Sequence, residues 1–350
     1  MSPLPLSPLP ERPTVSVLVS CYNYADYVTE AVQSVLNQTY DPVETIVVED
    51  GSIDGSREVL RTIAAAHPTV RLIEQANAGQ AAAMNAAWEA AEGDIVCFLD
   101  ADDAFEPDKC ARVVEAFRAA PRAGFLAHTY TVVSGDGRPV RIARGLPAPG
   151  WIAPRVLAEG GAVTGVPPTS ALALRRPVAE MLFPLPRSLR IAADGVIQRV
   201  APLLTEVATV ARPLMRYRVH GANHYAGLAG SAEGRERELD TQRTLYGHQH
   251  EYLARWHGTE VASRLAPLDA DPNWRLMKAH HLILGGAAGA DVRRALASVV
   301  AHPSNRSGRW APVYRLAAAL PPALARVVWR VAFSDGPHKR LLHALRRAPD

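Results

Sequence analysis

Three carboxylates stand in four consecutive residues at Asp100-Ala101-Asp102-Asp103, straight after the apolar run Ile95-Val96-Cys97-Phe98-Leu99. Carboxylates this close repel one another unless a cation sits among them. Hard oxygen donors of this kind suit Mg2+ or Mn2+, with a diphosphate completing the coordination shell. Side chains alternate faces along an extended segment, so Asp100 and Asp102 point the same way. The plainer reading of the same residues is a solvated turn and helix cap ahead of Pro107.

Three more polar clusters follow apolar runs: Ser20-Cys21-Tyr22-Asn23, Glu49-Asp50-Gly51-Ser52-Ile53-Asp54-Gly55-Ser56 and Asn77-Ala78-Gly79-Gln80. In the second, a carboxylate such as Asp50 could accept hydrogen bonds from a base or a ribose hydroxyl, and the glycines allow close backbone approach. Taken alone, that cluster reads first as a strand-to-helix turn capped by Asp54 or Ser56. No Gly-x-Gly-x-x-Gly follows a strand and no Gly-x-x-x-x-Gly-Lys-Ser/Thr occurs, which argues against a dinucleotide-binding dehydrogenase and a P-loop NTPase.

These clusters need elements to hold them. Val15–Val19, Thr45–Val48, Val70–Ile73 and Ile95–Leu99 are short, β-branched runs of the kind buried in parallel sheets. Between them lie helical patterns: Val28, Val32, Val35 and Leu36 on one face, Ser56–Ala66, the Ala-rich Gln80–Ala91, and a helix opened by Pro107 and running to about Ala120. Strand–helix alternation with short connections predicts an α/β fold with a mostly parallel central sheet flanked by helices. In such sheets ligands bind beyond the C-terminal strand ends, where all four clusters fall. Farther on, Phe125–Val133 and Val140–Ala143 around Ser134-Gly135-Asp136-Gly137 predict a hairpin. Thr169–Leu174 and Thr205–Val210 predict strands, and residues from about Tyr225 onward read as helix.

The chain has 350 residues, 48% hydrophobic and 21% charged, which excludes a disordered or fibrous protein. Three cysteines, Cys21, Cys97 and Cys110, make no disulfide framework, so a reducing, cytoplasmic compartment is expected. The Pro-rich N-terminus lacks an apolar stretch, so neither a signal peptide nor, from the rest of the chain, a membrane span is expected. Net charge is +3; nine Lys or Arg against two Asp from Arg306 onward carry +7, leaving the body slightly acidic. That distribution argues against a dedicated nucleic-acid binder and leaves open an anionic membrane surface for the tail.

The motifs occur in a specific order: Val15 through Asn23, Ser34 through Tyr40, Val47 through Ser52, Asn77 through Asn85, and Gly93 through Asp103. In that order they resemble the family-2 glycosyltransferases, whose fold is called GT-A, over about residues 13–120, with weaker likeness to Tyr225. The resemblance implies a GT-A, Rossmann-like domain over 13–224, with 13–120 as the nucleotide-sugar half and 121–224 as the acceptor half. Residues 1–12 are expected to be disordered and 225–350 to form a mostly helical extension.

It also implies roles. Ser20, Tyr22 and Asn23 would lie under the nucleotide, Asp50 would contact base or ribose, and Asn77 and Gly79 would line the nucleotide and sugar pocket. Asp100 and Asp102 match the DXD motif, with Asp102 the direct ligand of a divalent ion. Asp103 would bind the donor sugar or cap the helix. Asp194 matches the general base, although relatives often carry two adjacent acids where this chain has Ala193-Asp194; a helix N-cap is the plain alternative. Tyr217-Arg218-Val219-His220-Gly221-Ala222-Asn223 matches a segment near the pyrophosphate. His220 is then a metal ligand, a phosphate contact or a structural histidine, and Arg218 neutralises phosphate charge.

The activity implied is inverting, metal-dependent transfer, of hexosyltransferase type, with Mn2+ or Mg2+ as cofactor. One sugar would pass from a nucleoside-diphosphate sugar, a UDP-sugar by family habit, to a carbohydrate or lipid-linked acceptor in cell-surface polysaccharide or glycolipid synthesis. Processive relatives carry a Gln-x-x-Arg-Trp motif; here Tyr252 precedes Arg255-Trp256, so single addition is expected. A nucleotidyltransferase and a non-catalytic sugar-binding relative are the alternatives. In the tail, Leu324, Val327, Val328 and Val331 share a helical face, with Trp329 and Phe333 at its boundary. With Lys339, Arg340, Arg346 and Arg347 this makes either an interfacial helix or a face that packs on the catalytic domain or a second subunit.

Overall fold

The computed structural model describes residues 1–221, 232–302 and 310–333. It divides into two compact units: 1–156 with 163–220 and 248–262, and 157–162 with 221–247 and 263–350. The main run of the first unit ends at residue 220, and 248–262 returns to it.

The first unit opens with β1 (Val15–Cys21), α1 (Val28–Leu36), β2 (Val43–Asp50), α2 (Ser56–Ala66), β3 (Val70–Gln75), α3 (Gln80–Ala90) and β4 (Ile95–Asp100). There follow β5 (Ala104–Phe105), α4 (Lys109–Ala119), β6 (Ala123–His128), β7 (Tyr130–Ser134), β8 (Pro139–Ala143) and α5 (Ala153–Ala158). A 3-10 turn (Thr169–Ala171) then leads into β9 (Leu172–Arg175), α6 (Arg176–Leu182), α7 (Asp194–Leu204), β10 (Glu206–Val210) and β11 (Met215–Val219).

Seven strands form the central sheet in the order β10-β6-β9-β4-β1-β2-β3, and four form a second sheet, β5-β11-β7-β8. The central sheet is mostly parallel; only β9 runs against its neighbours β4 and β6. Val15, Val17, Val19, Val47, Ile95, Cys97 and Leu99 are buried on one face and Leu18, Ile46, Val48, Val96 and Phe98 on the other, which is why these strands read as unbroken apolar runs. Small residues on α3, among them Ala81, Ala83 and Ala87, are buried and let that helix lie close to the sheet. Register aligns the C-terminal strand ends: Ser20 pairs with Asp100, Cys21 with Glu49, and Asp50 with Gln75.

Three expectations are corrected. Residues 1–12 carry no helix or strand, yet they are held in place. Leu4 N–H donates to Leu204 O at 2.7 Å, and the Arg175 and Arg118 guanidinia donate to the carbonyls of Ser7 and Glu11. Phe125–Val133 is two strands, β6 and β7, in different sheets, and only β7 and β8 make the hairpin. The first residues of Thr169–Leu174 form the 3-10 turn instead of a strand.

After α8 (Ala232–His257) and the short α9 (Thr259–Ala262), the second unit contains α10 (Pro272–Leu284), α11 (Gly289–Ala301), α12 (Ala311–Ala319) and α13 (Pro322–Phe333). Asp271 caps α10, accepting from the N–H groups of Asn273 and Trp274, and Pro272 opens the helix. Ile283, Val292, Leu296, Tyr314, Ala325 and Trp329 form the core. Trp329 is therefore fully buried, not at a boundary, and Val328 packs beside it, while Leu324, Val327 and Val331 are exposed. The side chains of Arg330 and Phe333, and residues 334–350 with Lys339, Arg340, Arg346 and Arg347, lie outside the described residues. No helix among the described residues is long and apolar enough to cross a membrane.

Candidate active site

The acid cluster begins at the end of β4 and continues into the turn toward β5. Asp102 and Asp103 are buried, Asp100 half-buried. Asp100 N–H donates to Ser170 Oγ at 3.0 Å, and Asp103 N–H returns to Asp100 O at 3.0 Å, which closes the turn. Burial pushes the Asp100 carboxyl up to about 8, with the charges of Asp102 and Asp194 adding to the effect. Asp103 is raised well above the carboxylate range by burial, then by Asp102 and Asp100. Asp102 is raised by burial, opposed by its contact with His220.

β11 brings the second half of the unit to these acids. His220 Nε2 lies 3.1 Å from Asp102 Oδ2. The imidazole packs on Tyr27 with centroids 4.7 Å apart, and edge-on to Tyr24 at 5.9 Å. Arg218, expected at a phosphate, is placed otherwise. It is buried, its Nε donates to Asp102 O at 3.0 Å, Nη1 to Gly135 O at 3.1 Å, and Nη2 to Glu30. Its backbone N–H donates to Asp103 Oδ1 at 2.9 Å, while Asp103 Oδ2 is buried without a hydrogen bond. Arg218 thus ties β11 to the acid turn.

The nucleotide-side loops are stitched to one another. Asn23, at φ 60°, uses its Oδ1 to accept from Ile53 N–H at 2.9 Å, and its own N–H donates to Ser52 Oγ at 3.0 Å. Asparagine tolerates this left-handed backbone better than most residues. Tyr22 beside it is 44% exposed, and Ser20 is half-buried at the strand end. Asp50 is buried and accepts from Gln75 Nε2 at 2.7 Å, Ala78 N–H at 2.9 Å and Gly79 N–H at 2.8 Å. Its carboxylate shapes the β3–α3 loop. Asn77 Oδ1 accepts from Arg190, and Gly79, at φ +91°, would place a Cβ 2.6 Å from Arg190 Cα.

Segment 189–194 closes against that loop. Gln80 N–H donates to Arg190 O at 2.8 Å, and Ala193 N–H donates to Gln80 Oε1 at 2.9 Å. Asp194 starts α7 and is half-buried; its Oδ2 accepts from Thr169 Oγ1 at 2.8 Å and Gln198 Nε2 at 3.0 Å. Burial raises its pKa, opposed by the Thr169 hydrogen bond. The structure thus gathers Asp100, Asp102, Asp103 and His220 around one strand end, with Asp194 close enough to raise Asp100. It arranges Asp50, Asn77 and Gly79 as a second group joined to segment 189–194. Ala222 and Asn223 lie outside the described residues.

Sequence reasoning missed Glu30, Arg190, Thr169, Ser170 and Lys109. Each lies in a segment read only for its secondary structure or for a neighbouring residue, and only its partners across the chain give it a part in the site. Among the described residues, no group of three His, Cys, Asp or Glu side chains is placed to hold a metal ion.

The architecture has solved counterparts. The structure of S. aureus TarS residues 1–349 in complex with UDP-GlcNAc aligns over 91% of both chains, with a TM-score of 0.52 at 18% identity. At that identity the likeness shows the fold: a GT-A α/β domain with a helical C-terminal region. The sequence profile described as Glycosyl transferase family 2 matches residues 16–182. An uncharacterized glycosyltransferase of Nostoc sp. is 39% identical over 226 residues, 63% of this chain and 70% of the relative. The chondroitin synthase of Escherichia coli is 38% identical over 106 residues, 30% of this chain and 16% of that protein. The chain belongs to glycosyltransferase family 2. It is a glycosyltransferase, and the nucleotidyltransferase and non-catalytic alternatives fall away.

Proposed function

We propose that this enzyme is an inverting, metal-dependent, non-processive transferase. It moves one sugar from a nucleoside-diphosphate sugar to an acceptor hydroxyl in polysaccharide or glycolipid assembly. The carrying observation is the arrangement of acids: Asp102 against His220 at 3.1 Å, with Asp194 at a separate helix start. One acid group suits a cation and diphosphate, and the other suits an acceptor proton.

By donor chemistry the residues at this strand end suit a divalent cation. Asp100 and Asp102 offer hard oxygens, His220 an imidazole, and the buried, unbonded Asp103 Oδ2 is a further oxygen. Mutual repulsion among these carboxylates is the state a cation relieves. The ion, when bound, would neutralise charge developing on the departing diphosphate.

The protein's own residues do the rest. Asp50 holds the Asn77–Gly79 loop on which the nucleotide would lie, and Tyr22 is exposed to flank it. Asp194 accepts the acceptor hydroxyl proton. The acceptor oxygen bonds to the anomeric carbon as the bond from that carbon to the diphosphate oxygen breaks, and the electron pair leaves with the nucleoside diphosphate. A single displacement inverts the anomeric centre. TarS was solved with UDP-GlcNAc, so UDP-sugars are the first donors to test. The exposed Leu324, Val327 and Val331 stripe, followed in sequence by basic residues 339–347, supports peripheral contact with anionic lipid and hence a lipid-linked acceptor.

Calorimetry with UDP, GDP and dTDP, with and without Mn2+, tests the reading. Uptake of one nucleotide that depends on the cation is expected. Absence of cation-dependent uptake of all three overturns it.

A further inference from the structure

The phosphate-side acids and Asp194 belong to different segments of the chain, and one short turn touches both. Thr169 and Ser170 are consecutive residues of the 3-10 turn leading into β9. Thr169 Oγ1 donates to Asp194 Oδ2 at 2.8 Å. Ser170 Oγ accepts from Asp100 N–H at 3.0 Å. Both residues are buried.

The turn is gripped from α4 as well. The Ser170 carbonyl accepts from Lys109 Nζ, and that ammonium lies 3.4 Å from the centroid of the Phe105 ring. Lys109 is fully buried beside the thiols of Cys97 and Cys110, and burial lowers its pKa to about 8. Enclosing an ammonium is costly compared with an apolar side chain of similar length. What it adds here is a strong donor to one carbonyl and a cation over one aromatic face.

Asp194 has little freedom of its own. Its two side-chain hydrogen bonds, from Thr169 and from Gln198 at 3.0 Å, both fall on Oδ2 and pin that oxygen. Gln198 is on the same helix as Asp194, so it cannot report the position of β4. Thr169 can, because Ser170 beside it is bonded to the strand end.

We propose that the Thr169–Ser170 turn, clamped by Lys109, sets the separation between Asp194 and the acids at the end of β4, making Thr169 and Lys109 positioning residues for sugar transfer. This rests on Asp194 being the general base. A shift of about 1 Å between a catalytic group and its target can cost about 100-fold in rate, whereas donor affinity depends on other contacts.

The test compares Thr169→Val, close in shape but without the hydroxyl, with Thr169→Ser, which keeps it. The substrate is whichever sugar in a panel of UDP-, GDP- and dTDP-sugars the wild-type full chain consumes, followed by released nucleoside diphosphate. Thr169→Val is expected to lower kcat by about 10–100-fold with donor KM within about twofold, and Thr169→Ser to stay within about threefold of wild type. Lys109→Met is expected to lower kcat about tenfold with UDP affinity in Mn2+ unchanged by calorimetry. Should Lys109→Met fail to fold, the threonine pair still decides the proposal.

Unchanged kcat in Thr169→Val, a loss that serine does not rescue, or wild-type kcat in a folded Lys109→Met overturns it. Asp194→Asn is measured alongside. Wild-type transfer in that variant removes the general base itself, while a dead Asp194→Asn beside a normal Thr169→Val removes only the positioning role.

Discussion

His220 Nε2 stands 3.1 Å from Asp102 Oδ2, joining residues 118 positions apart at the ends of two different sheets. The imidazole packs on Tyr27 and edge-on to Tyr24, whose own rings lie 6.4 Å apart, so the three rings form one cluster beside the acid turn. If Asp102 grips the cation, Asp102→Ala lowers turnover by about 10²–10³-fold or more. His220→Ala, which leaves the carboxylate, costs about tenfold. Released nucleoside diphosphate and Mn2+-dependent UDP uptake read both effects, and transfer at the wild-type rate in Asp102→Ala refutes the metal role.

Asp194→Asn keeps the shape of the side chain and removes the base. UDP affinity is expected to persist while kcat falls by about 10²–10⁴-fold. Lost UDP binding with unchanged turnover per bound donor would reassign Asp194 to the donor site.

Burial raises the Asp194 pKa, and the Thr169 hydrogen bond opposes it. A base acts deprotonated, so kcat rises with pH through a step above the ordinary carboxylate range of about 4. Thr169→Val moves that step to still higher pH. The raised pKa acts on stability with the opposite sense. The native state holds the proton more tightly, so this contribution is full below the unfolded pKa and lost as pH rises through the folded one. A kcat profile whose acidic step lies at or below about pH 4 contradicts the assignment.

Gly79 and Gly55 both have positive φ, +91° and +90°, but a Cβ at Gly79 would meet Arg190 Cα at 2.6 Å while nothing lies within 4 Å at Gly55. Gly55→Ala therefore meets only backbone strain, about 1–2 kcal/mol. Gly79→Ala adds a backbone clash and is expected to cost more, and to weaken UDP binding because Asn77 and segment 189–194 move. Urea unfolding compares the two, and an equal or reversed order would sink the explanation.

Leu324→Glu with Val327→Glu places charge on the exposed face of α13 and leaves its packed side, with Ala325 and Trp329, untouched. Flotation of the full chain with anionic vesicles is expected to fall sharply while the melting temperature holds. Flotation equal to wild type removes the lipid contact.

The α/β frame was legible along the chain. β1 to β4 and α1 to α4 lie where the apolar runs and helical faces placed them, because a strand buried on both faces has few choices but Val, Ile and Leu. The acid cluster was legible too, since polar residues straight after such a strand fall at the sheet's C-terminal edge. Phe125–Val133 was not resolved into two strands, because an apolar run continues unchanged when the backbone passes from one sheet to another around Thr129.

Tertiary structure decided the partners. Arg218 reads as a phosphate ligand until Glu30 and the carbonyls of Asp102 and Gly135 are found around its guanidinium. Lys109 and Thr169 have no local signal at all. Apolar periodicity records whether a residue faces the core. Which donor meets which acceptor across 25 to 188 residues depends on how the elements pack, and no local pattern of residue types encodes that.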